Sequence, residues 1–469
     1  MVAADVRSGP APKAARRSSS TQAARLAEAI VAFDAARYGP EPAAKARICL
    51  LDFLSAAFES VDLEWSRQAR AAVPAGVGGH VVGDAVQRSP GDAAFANAVL
   101  GHGLVREDMH AGSISHHGVV IWPVLLALAE TGSFSGQRLL AAAIVGYETG
   151  CRVGRALFDS TLARLFRPTG LVGPLGAAAA GAYLLGFDEQ KTAAALALAA
   201  NCAGGLNQWP HSGASEMYFH PGFGARNVVT ALQLAGAGAF GSPDIFEGEA
   251  GLFAAFARKQ AVPVTLFPNG EADILAVYNK PVGACNFAQT ACQAAFRLAQ
   301  QLTPDAAPIE SVAIRVSDAA RRYPGCDFTG PFERGLQAKM SIQYGVAATL
   351  ALRRLGEANY RRLDEPETLR LVAASVLEVD PDFTRAFPAA QGAEIEISLA
   401  DGRRLKTSLR DVLPATEAEI RERFRGAAGA VLGEARAEAI EAMVDGLEEL
   451  AEVAALPRLL APERPTPRH

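Results

Sequence analysis

The sequence predicts a mainly α protein, with a large all-helical domain followed by a smaller α+β domain. Half of the 469 residues are hydrophobic and 20% are charged, a composition that supplies a large core and excludes disorder as the main state. Ala- and Gly-rich stretches with helix start and stop residues fill the first half of the chain. Short stretches that alternate apolar and polar side chains appear only after about residue 267, and such alternation is typical of strands.

The pattern from residue 22 to 267 predicts helices that pack closely through small residues. Ser135 and Asp188 stand where N-caps are expected, and Gly186 and Gly241 stand where helices end. No apolar run reaches the ~20 uninterrupted residues of a membrane span, so we expect buried helices and no membrane contact. The expected helices cover 21–35, 41–60, 90–102, 122–130, 135–158, 171–185, 189–203 and 222–237.

The second domain is predicted over 268–412. Residues 309–316 (IESVAIRV) and 393–399 (AEIEISL) have strand alternation, and Asp401-Gly402 before 404–409 is a hairpin turn signal. Helices are expected at 288–301, 337–355 and 365–375. Residues 413–457 return to a helical pattern and are expected to pack on the first domain. Flexible tails are expected over 1–21 and 458–469.

Charge and cysteine content exclude several classes of protein. Lys and Arg number 45 against 50 Asp and Glu, so the net charge of -5 gives no basic surface for nucleic acid. The six cysteines are scattered without a CxxC pair, so neither a zinc site nor a disulfide framework is indicated. The N-terminus lacks the apolar stretch of a signal peptide. We therefore expect a reduced, cytoplasmic protein.

Ionisable residues concentrate in one Gly- and Ser-rich segment, 101–118 (GHGLVREDMHAGSISHHG), between two apolar helices. Loops with such groups between buried helices are favoured places for catalysis. A surface loop with incidental histidines is one alternative. A metal site is another, although no HExxH-like spacing is present. The ionisable residues of the segment are His102, Glu107, Asp108, His110, His116 and His117.

Three further segments offer groups for binding an anion. In 166–176 (FRPTGLVGPLG), Arg167 and Thr169 precede an Ala-rich helix whose free N–H groups suit a carboxylate or phosphate; close helix packing is the alternative. The glycines there form neither a GxGxxG motif nor a P-loop. Residues 212–226 (SGASEMYFHPGFGAR) contain a tyrosine and a histidine, Tyr218 and His220.

The third segment, 280–289 (KPVGACNFAQ), carries one of only seven lysines. Lys280 is a candidate ligand for an anionic substrate, and a solvated surface lysine is the alternative. Cys285 is either a reactive group or a small core residue.

Together, these segments resemble the MmgE/PrpD family, which includes 2-methylcitrate dehydratase, cis-aconitate decarboxylase and iminodisuccinate epimerase. The family's N-G-x-x-x-H-x-x-D-x-D-D motif is matched by Asn97, His102 and Asp108, with His116 beyond it. Three longer matches follow the same order: 144–157 (IVGYETGCRVGRAL) to G-Y-E-x-x-x-R-x-G, 166–188 to H-P-T-G-x-x-G-x-x-G-A-A-x-A, and 335–350 (GLQAKMSIQYGVAATL) to A-K-F-S-x-x-Y-x-V-A-A.

The resemblance covers about residues 25–450 and implies a site between the helical domain and an α+β lid, in a homodimer. It implies a small di- or tricarboxylate substrate, proton transfer at the carbon next to a carboxylate, and no metal or other cofactor. The chain departs from the family pattern at several positions. Val105 stands where the motif has its first Asp, and Glu107 stands where it has its second Asp. Arg167 stands at the position of a family His, and Met217 or Tyr218 stands at the position of a family basic residue. Because arginine cannot act as a base at neutral pH, we expect a substrate other than 2-methylcitrate.

These considerations assign candidate roles within the site. His116 is expected to be the general base, with Asp108 or His110 as its partner acid and Tyr218 as a donor to a developing enolate. The expected substrate-binding residues are Arg167, Thr169, Lys280, His220, Cys285 and Tyr323.

The sequence leaves the reaction open. A dehydratase-type lyase comes first. An epimerase or isomerase comes second, with His110, His220 or Tyr218 opposite His116. Decarboxylation comes third, and a non-catalytic binding protein is a further alternative, because fold does not determine function.

Overall fold

The computed structural model describes residues 20–463 and confirms the mainly α fold with a smaller α+β part. Most of the two predicted tails, 1–19 and 464–469, lies outside the described residues. Residues 458–463 do not form the loose tail expected from the sequence, because Leu460 and Ala461 are buried beside the final helix.

Helices make up most of the first domain. In chain order its elements are α1 (Gln22–Val31), α2 (Glu41–Glu59), α3 (Glu64–Ala71), β1 (Gly79–Val81), β2 (Asp84–Arg88), α4 (Pro90–His102), α5 (Gly118–Ala129), α6 (Gly136–Leu157), α7 (Ser160–Leu165), α8 (Pro168–Leu185), α9 (Glu189–Ala200), α10 (Trp209–Ser212) and α11 (Glu216–Gly236). The hairpin β1–β2 was not predicted, because its strands are too short for a clear alternation. Helices α5, α8 and α11 begin three to six residues earlier than expected, since their prolines are accommodated within the helices.

Close approach of helices explains the many glycines. A Cβ at Gly176 of α8 would lie 2.7 Å from the Gly146 carbonyl oxygen of α6, and a Cβ at Gly146 would lie 3.0 Å from the Gly176 carbonyl oxygen. Only glycine at both positions lets the two backbones meet. Helix α8 is long and apolar enough to cross a membrane by composition, but 89% of it is buried inside the protein, as in a core helix.

A four-stranded sheet organises the second domain, in the order β4-β3-β5-β6, with β3 parallel to β4 and antiparallel to β5. Its elements are α12 (Gln289–Gln301), β3 (Ile309–Val316), α13 (Asp318–Arg322), α14 (Gly335–Met340), α15 (Ile342–Leu352), α16 (Pro366–Ala373), β4 (Ser375–Val379), α17 (Pro381–Ala386), β5 (Ala393–Leu399) and β6 (Arg404–Leu409). Strand β4 was not predicted, and the single helix expected over 337–355 is divided at Ser341, which caps α15.

The chain then returns to the first domain through α18 (Glu417–Leu432), α19 (Glu434–Asp445) and α20 (Ala455–Leu459). Helix α18 packs on α2, where the rings of Phe424 and Phe58 meet edge to face with centroids 6.2 Å apart. Its Arg423 also donates hydrogen bonds to the carbonyl oxygens of Lys280 and Pro281. The start of the second domain is therefore held by the C-terminal part of the chain.

Candidate active site

The ionisable segment between α4 and α5 is a buried part of the domain junction, which excludes the surface-loop alternative. Its side chains are almost fully shielded from solvent. The backbone of Met109 pairs with that of Tyr278, with N–O distances of 2.8 and 2.9 Å, and thereby joins the segment to the start of the second domain. Val105 adopts a φ of 59°, which is unusual for a β-branched residue and indicates a strained, over-determined backbone.

His116 is held in one tautomer. Its ring Nδ1 lies 2.8 Å from the backbone carbonyl oxygen of Asp108 and donates to it, which leaves Nε2 without a proton in the neutral ring. Its backbone N–H donates to Thr169 Oγ1 at 3.1 Å. Burial lowers the pKa of His116 well below its ordinary value, so the imidazole is neutral and its Nε2 can accept a proton.

The Asp108 carboxyl faces away from the His116 ring. It accepts hydrogen bonds from the Tyr147 hydroxyl and from the Gly118 backbone N–H, the latter at 3.2 Å. Burial raises its pKa to about 7. Asp108 therefore orients His116 through its backbone carbonyl, and the expectation that its carboxyl is the partner acid is corrected.

Glu107 supplies the carboxylate that the sequence assignment gave to Asp108. Its Oε1 lies 3.1 Å from His102 Nδ1 and 3.4 Å from His116 Nδ1. Burial favours the neutral acid, but the neighbouring His102, His116 and Lys280 outweigh it and hold the pKa of Glu107 well below its usual range. Neither carboxylate oxygen has a well-aligned hydrogen bond among residues 20–463.

Arg167 brings an uncompensated positive charge into the site. Its Nη2 lies 3.3 Å from His102 Nε2, and its guanidinium carbon lies 5.7 Å from the Trp209 ring centroid. No carboxylate of the described chain forms an ion pair with it, and its Nε has no hydrogen-bond partner there. A buried arginine in this state is suited to a bound carboxylate, which its planar fork can hold bidentately.

Lys280 is fully buried, so the surface-lysine alternative is wrong. Its Nζ donates to the backbone carbonyl oxygen of Val105, and that of Lys339 donates to the carbonyl oxygen of Leu104 at 2.9 Å. Burial lowers the pKa of Lys280, although Glu107 opposes the shift. The two lysines thus hold the strained segment from the side of the second domain, and Lys280 retains two N–H donors.

His116, Arg167, Cys285 and Tyr323 line one narrow cavity between the two domains, with room for about one water molecule. Most of the remaining wall is apolar. It is formed by Val105, Met109, Ile114, Trp209, Asn286, Phe287 and Met340. Four of the predicted site residues are therefore brought together: an imidazole, a guanidinium, a thiol and a phenol.

Other predicted site residues do not reach this cavity. His110 turns to Ser113 and Arg155, with contacts of 2.8 Å from its two ring nitrogens, and does not reach His116. Thr169 accepts a hydrogen bond from the His116 backbone N–H and does not line the cavity. Tyr218 stacks on Trp65 with centroids 3.8 Å apart, and burial raises the pKa of its hydroxyl. None of these three residues lines the cavity, so its geometry gives no support to their predicted roles.

His220 is a half-buried neighbour of Arg167, and it does not line the cavity. Burial lowers the pKa of its imidazole to about 4. Its predicted contact with substrate is therefore not observed either.

Sequence reasoning left His102 and Glu107 out of the assigned set, although it recognised both in the segment. Glu107 and Asp108 are adjacent, so sequence alone does not show which carboxyl faces His116. His102 stands at the histidine of the family motif, and that match could have singled it out within the segment.

Family models match both parts of the chain: the MmgE/PrpD N-terminal domain over residues 24–265 and the MmgE/PrpD C-terminal domain over 283–449. The protein therefore belongs to the MmgE/PrpD family.

Among curated proteins, the chain is similar to a cis-aconitate decarboxylase-like protein of Aspergillus oryzae, at 27% identity over 89% of this chain and 93% of the relative. It is also similar to the cis-aconitate decarboxylases of Aspergillus terreus (26%, with 89% and 91% covered) and Homo sapiens (27%, with 80% of each covered).

Proposed function

We propose that the protein is a lyase acting on a small di- or tricarboxylate by proton transfer at the carbon next to a carboxylate. The observation that carries this proposal is the position of His116 in the same cavity as the unpaired Arg167. A basic imidazole nitrogen and a carboxylate-binding cation are the two groups that enolate chemistry of carboxylic acids requires. No step in this proposal uses a cofactor.

In this mechanism a substrate carboxylate binds the Arg167 guanidinium, and the adjacent carbon lies toward His116 Nε2. Removal of a proton or loss of CO2 from that carbon leaves an enolate-like charge, which Arg167 stabilises through the bound carboxylate. Glu107 lies near both histidines and stabilises their protonated forms. A polyanionic substrate raises the pKa of His116, so the same ring can return a proton after CO2 has left.

Decarboxylation of a tricarboxylate resembling cis-aconitate is the first reaction we propose. Three similar proteins are named for this chemistry or as being like it. The mostly apolar cavity wall also favours it, because removing water from a carboxylate destabilises the charged ground state relative to a dispersed transition state. The sequence alone had favoured dehydration first and decarboxylation third.

Dehydration is the second candidate. It is favoured by the neutral state of His116, since a free imidazole abstracts a proton from a hydroxy acid directly. Epimerisation is less favoured. It needs a second proton-transfer group opposite His116, and His110, one of the candidates for that group, faces another cleft.

The test is turnover of a panel of small carboxylic acids, including cis-aconitate, citrate and 2-methylcitrate, in D2O. NMR and a CO2 trap distinguish decarboxylation, net loss of water and deuterium exchange without net change. We expect His116→Gln to lower kcat by a factor of about 10² to 10⁴. His211→Gln, a change at an exposed residue, serves as the control and leaves turnover unchanged.

Two results contradict the proposal. Full activity of His116→Gln would remove the assigned base. If wild-type protein binds acids of the panel but converts none of them, the non-catalytic alternative is favoured.

A further inference from the structure

Two cysteines of the second domain lie in contact beside the active-site cavity. The Sγ atoms of Cys285 and Cys326 are 3.5 Å apart, and both residues are buried. Cys285 lines the cavity, whereas Cys326 lies behind it, three residues after the cavity residue Tyr323. A small molecule that enters the cavity therefore contacts Cys285 Sγ, and Cys326 Sγ lies next to that atom.

The surroundings of Cys285 favour its thiolate. Burial alone would raise the pKa of this thiol, but a hydrogen bond from the Cys326 S–H, another from the Phe287 backbone N–H and the charges of Lys280 and Arg167 outweigh it and lower the pKa. Cations and backbone N–H groups of this kind are typical of reactive cysteines.

The neighbouring thiols are different. Burial raises the pKa of Cys326 well above its ordinary value, and Cys285 adds to the shift. Burial also raises the pKa of each remaining cysteine: Cys49, Cys151, Cys202 and Cys292. Cys285 is therefore the thiol of this chain best suited to react with an electrophile.

We propose that Cys285 and Cys326 form a peroxide-sensitive thiol pair that closes into a disulfide in the wall of the active-site cavity. The sequence offered no sign of this pair, because 41 positions separate the two residues. Their contact arises from folding alone.

The oxidant is hydrogen peroxide, and the chemistry proceeds in two steps. The Cys285 thiolate attacks one peroxide oxygen, the O–O bond breaks, and hydroxide leaves, which gives a sulfenic acid at Cys285. Cys326 then loses its proton and attacks Cys285 Sγ, so that the S–S bond forms and hydroxide leaves with that proton as water. Sulfur has lost two electrons, peroxide has gained two, and the hydroxide of the first step takes up a solvent proton.

Closure of the disulfide changes the cavity in two ways. It removes an ionisable thiol from the surroundings of Arg167 and Lys280, and it fixes the segment that carries Tyr323 to the one that carries Cys285. Loss of turnover on oxidation rests on the proposed function. Formation of the cross-link does not, so failure of one proposal is distinguishable from failure of the other.

The experiment treats the full-length protein with increasing hydrogen peroxide, blocks free thiols, and identifies modified peptides by mass spectrometry. We expect a cross-link between the peptides of Cys285 and Cys326, with loss of about 2 Da, reversed by dithiothreitol. In Cys326→Ala, Cys285 lacks its resolving partner, so we expect peptides heavier by one or two oxygens. Cys202→Ser, which alters a half-buried thiol outside the cavity, should form the same cross-link as the wild type.

Two outcomes overturn the proposal. One is oxidation of Cys202 at peroxide concentrations that leave Cys285 reduced. The other is oxidation of Cys285 to the same sulfenic or sulfinic state in wild type and in Cys326→Ala, with no cross-link. If Cys326→Ala does not fold, alkylation of wild-type protein by iodoacetamide provides the second measurement. Cys285 is then expected to react at least about tenfold faster than Cys326 at pH 7.5, and equal rates contradict the proposal.

Discussion

Replacing Arg167 by methionine should stabilise the empty protein and weaken substrate binding. Arg167 is 5% exposed and has no ion-pair partner in the described part of the chain. An uncompensated buried charge costs several kcal/mol. The lost contacts with His102 and Trp209 are worth about 1 kcal/mol each. The net expectation is a gain of about 1–2 kcal/mol in the free energy of unfolding.

The effect on binding has the opposite sign. A bidentate pair between guanidinium and carboxylate contributes two charge-assisted hydrogen bonds, so we expect its loss to cost about 2–4 kcal/mol, a factor of about 30 to 1,000 in affinity.

Both effects are measurable by thermal unfolding with and without cis-aconitate. For a chain of this size, 1 kcal/mol corresponds to a shift of about 1 °C. The empty variant should therefore melt about 1–2 °C above wild type. Ligand at a hundred times its Kd adds about 2.7 kcal/mol to the wild type, and most of that gain should disappear in the variant.

Arg106→Met is the matched control, because Arg106 is 7% exposed but is paired with Glu59 at 2.7 Å. This change should lower the melting temperature, since it leaves a carboxylate without its partner. The reasoning is refuted if Arg167→Met is destabilised as much as Arg106→Met, or if it retains the full stabilisation by ligand.

Two further predictions concern pH and packing. Because burial raises the folded-state pKa of Asp108 to about 7, its carboxyl binds a proton more tightly in the folded protein. Wild type should lose stability relative to Asp108→Asn, by up to about 1.4 kcal/mol per pH unit, as pH rises from about 4 to 7; parallel unfolding curves across this range would contradict this. Gly176→Ala should destabilise by at least about 2 kcal/mol, since its Cβ would meet the Gly146 carbonyl oxygen. Gly426→Ala, in a helix with open space around it, should stabilise by about 0.5–1 kcal/mol in the same denaturant titration.

Much of the fold could be predicted because the sequence carries local signals for it. Helix α4 was predicted with its observed bounds, and the Asp401-Gly402 turn joins β5 and β6 as expected. Strand β4 carries little signal of its own. It has only five residues at the sheet edge, follows a helix after one residue, and gains its conformation from parallel pairing with β3. Such non-local pairing leaves no mark in a short window of sequence.

The site was predicted as a region more reliably than as a set of side chains. The family resemblance implied that 101–118 and Arg167 belong to one site, and the structure brings His116 and Arg167 to one cavity. The directions of side chains in a non-helical segment depend on backbone angles such as the positive φ of Val105. Such a segment lacks the regular repeat from which side-chain directions are predicted in helices and strands. The side chains of Asp108 and His110 therefore point in directions that the sequence did not predict.

The hydrogen bonds from two lysines to the carbonyl oxygens of Leu104 and Val105 have a consequence for protein engineering. The carbonyls come from the half of the chain that matches the N-terminal family model, and Lys280 and Lys339 come from beyond it. A chimaera that joins residues 1–265 to the second half of another family member therefore needs an ammonium group at both lysine positions to hold Val105 in its left-handed conformation. Among such chimaeras, we expect only those with lysine at both positions to retain a working cleft.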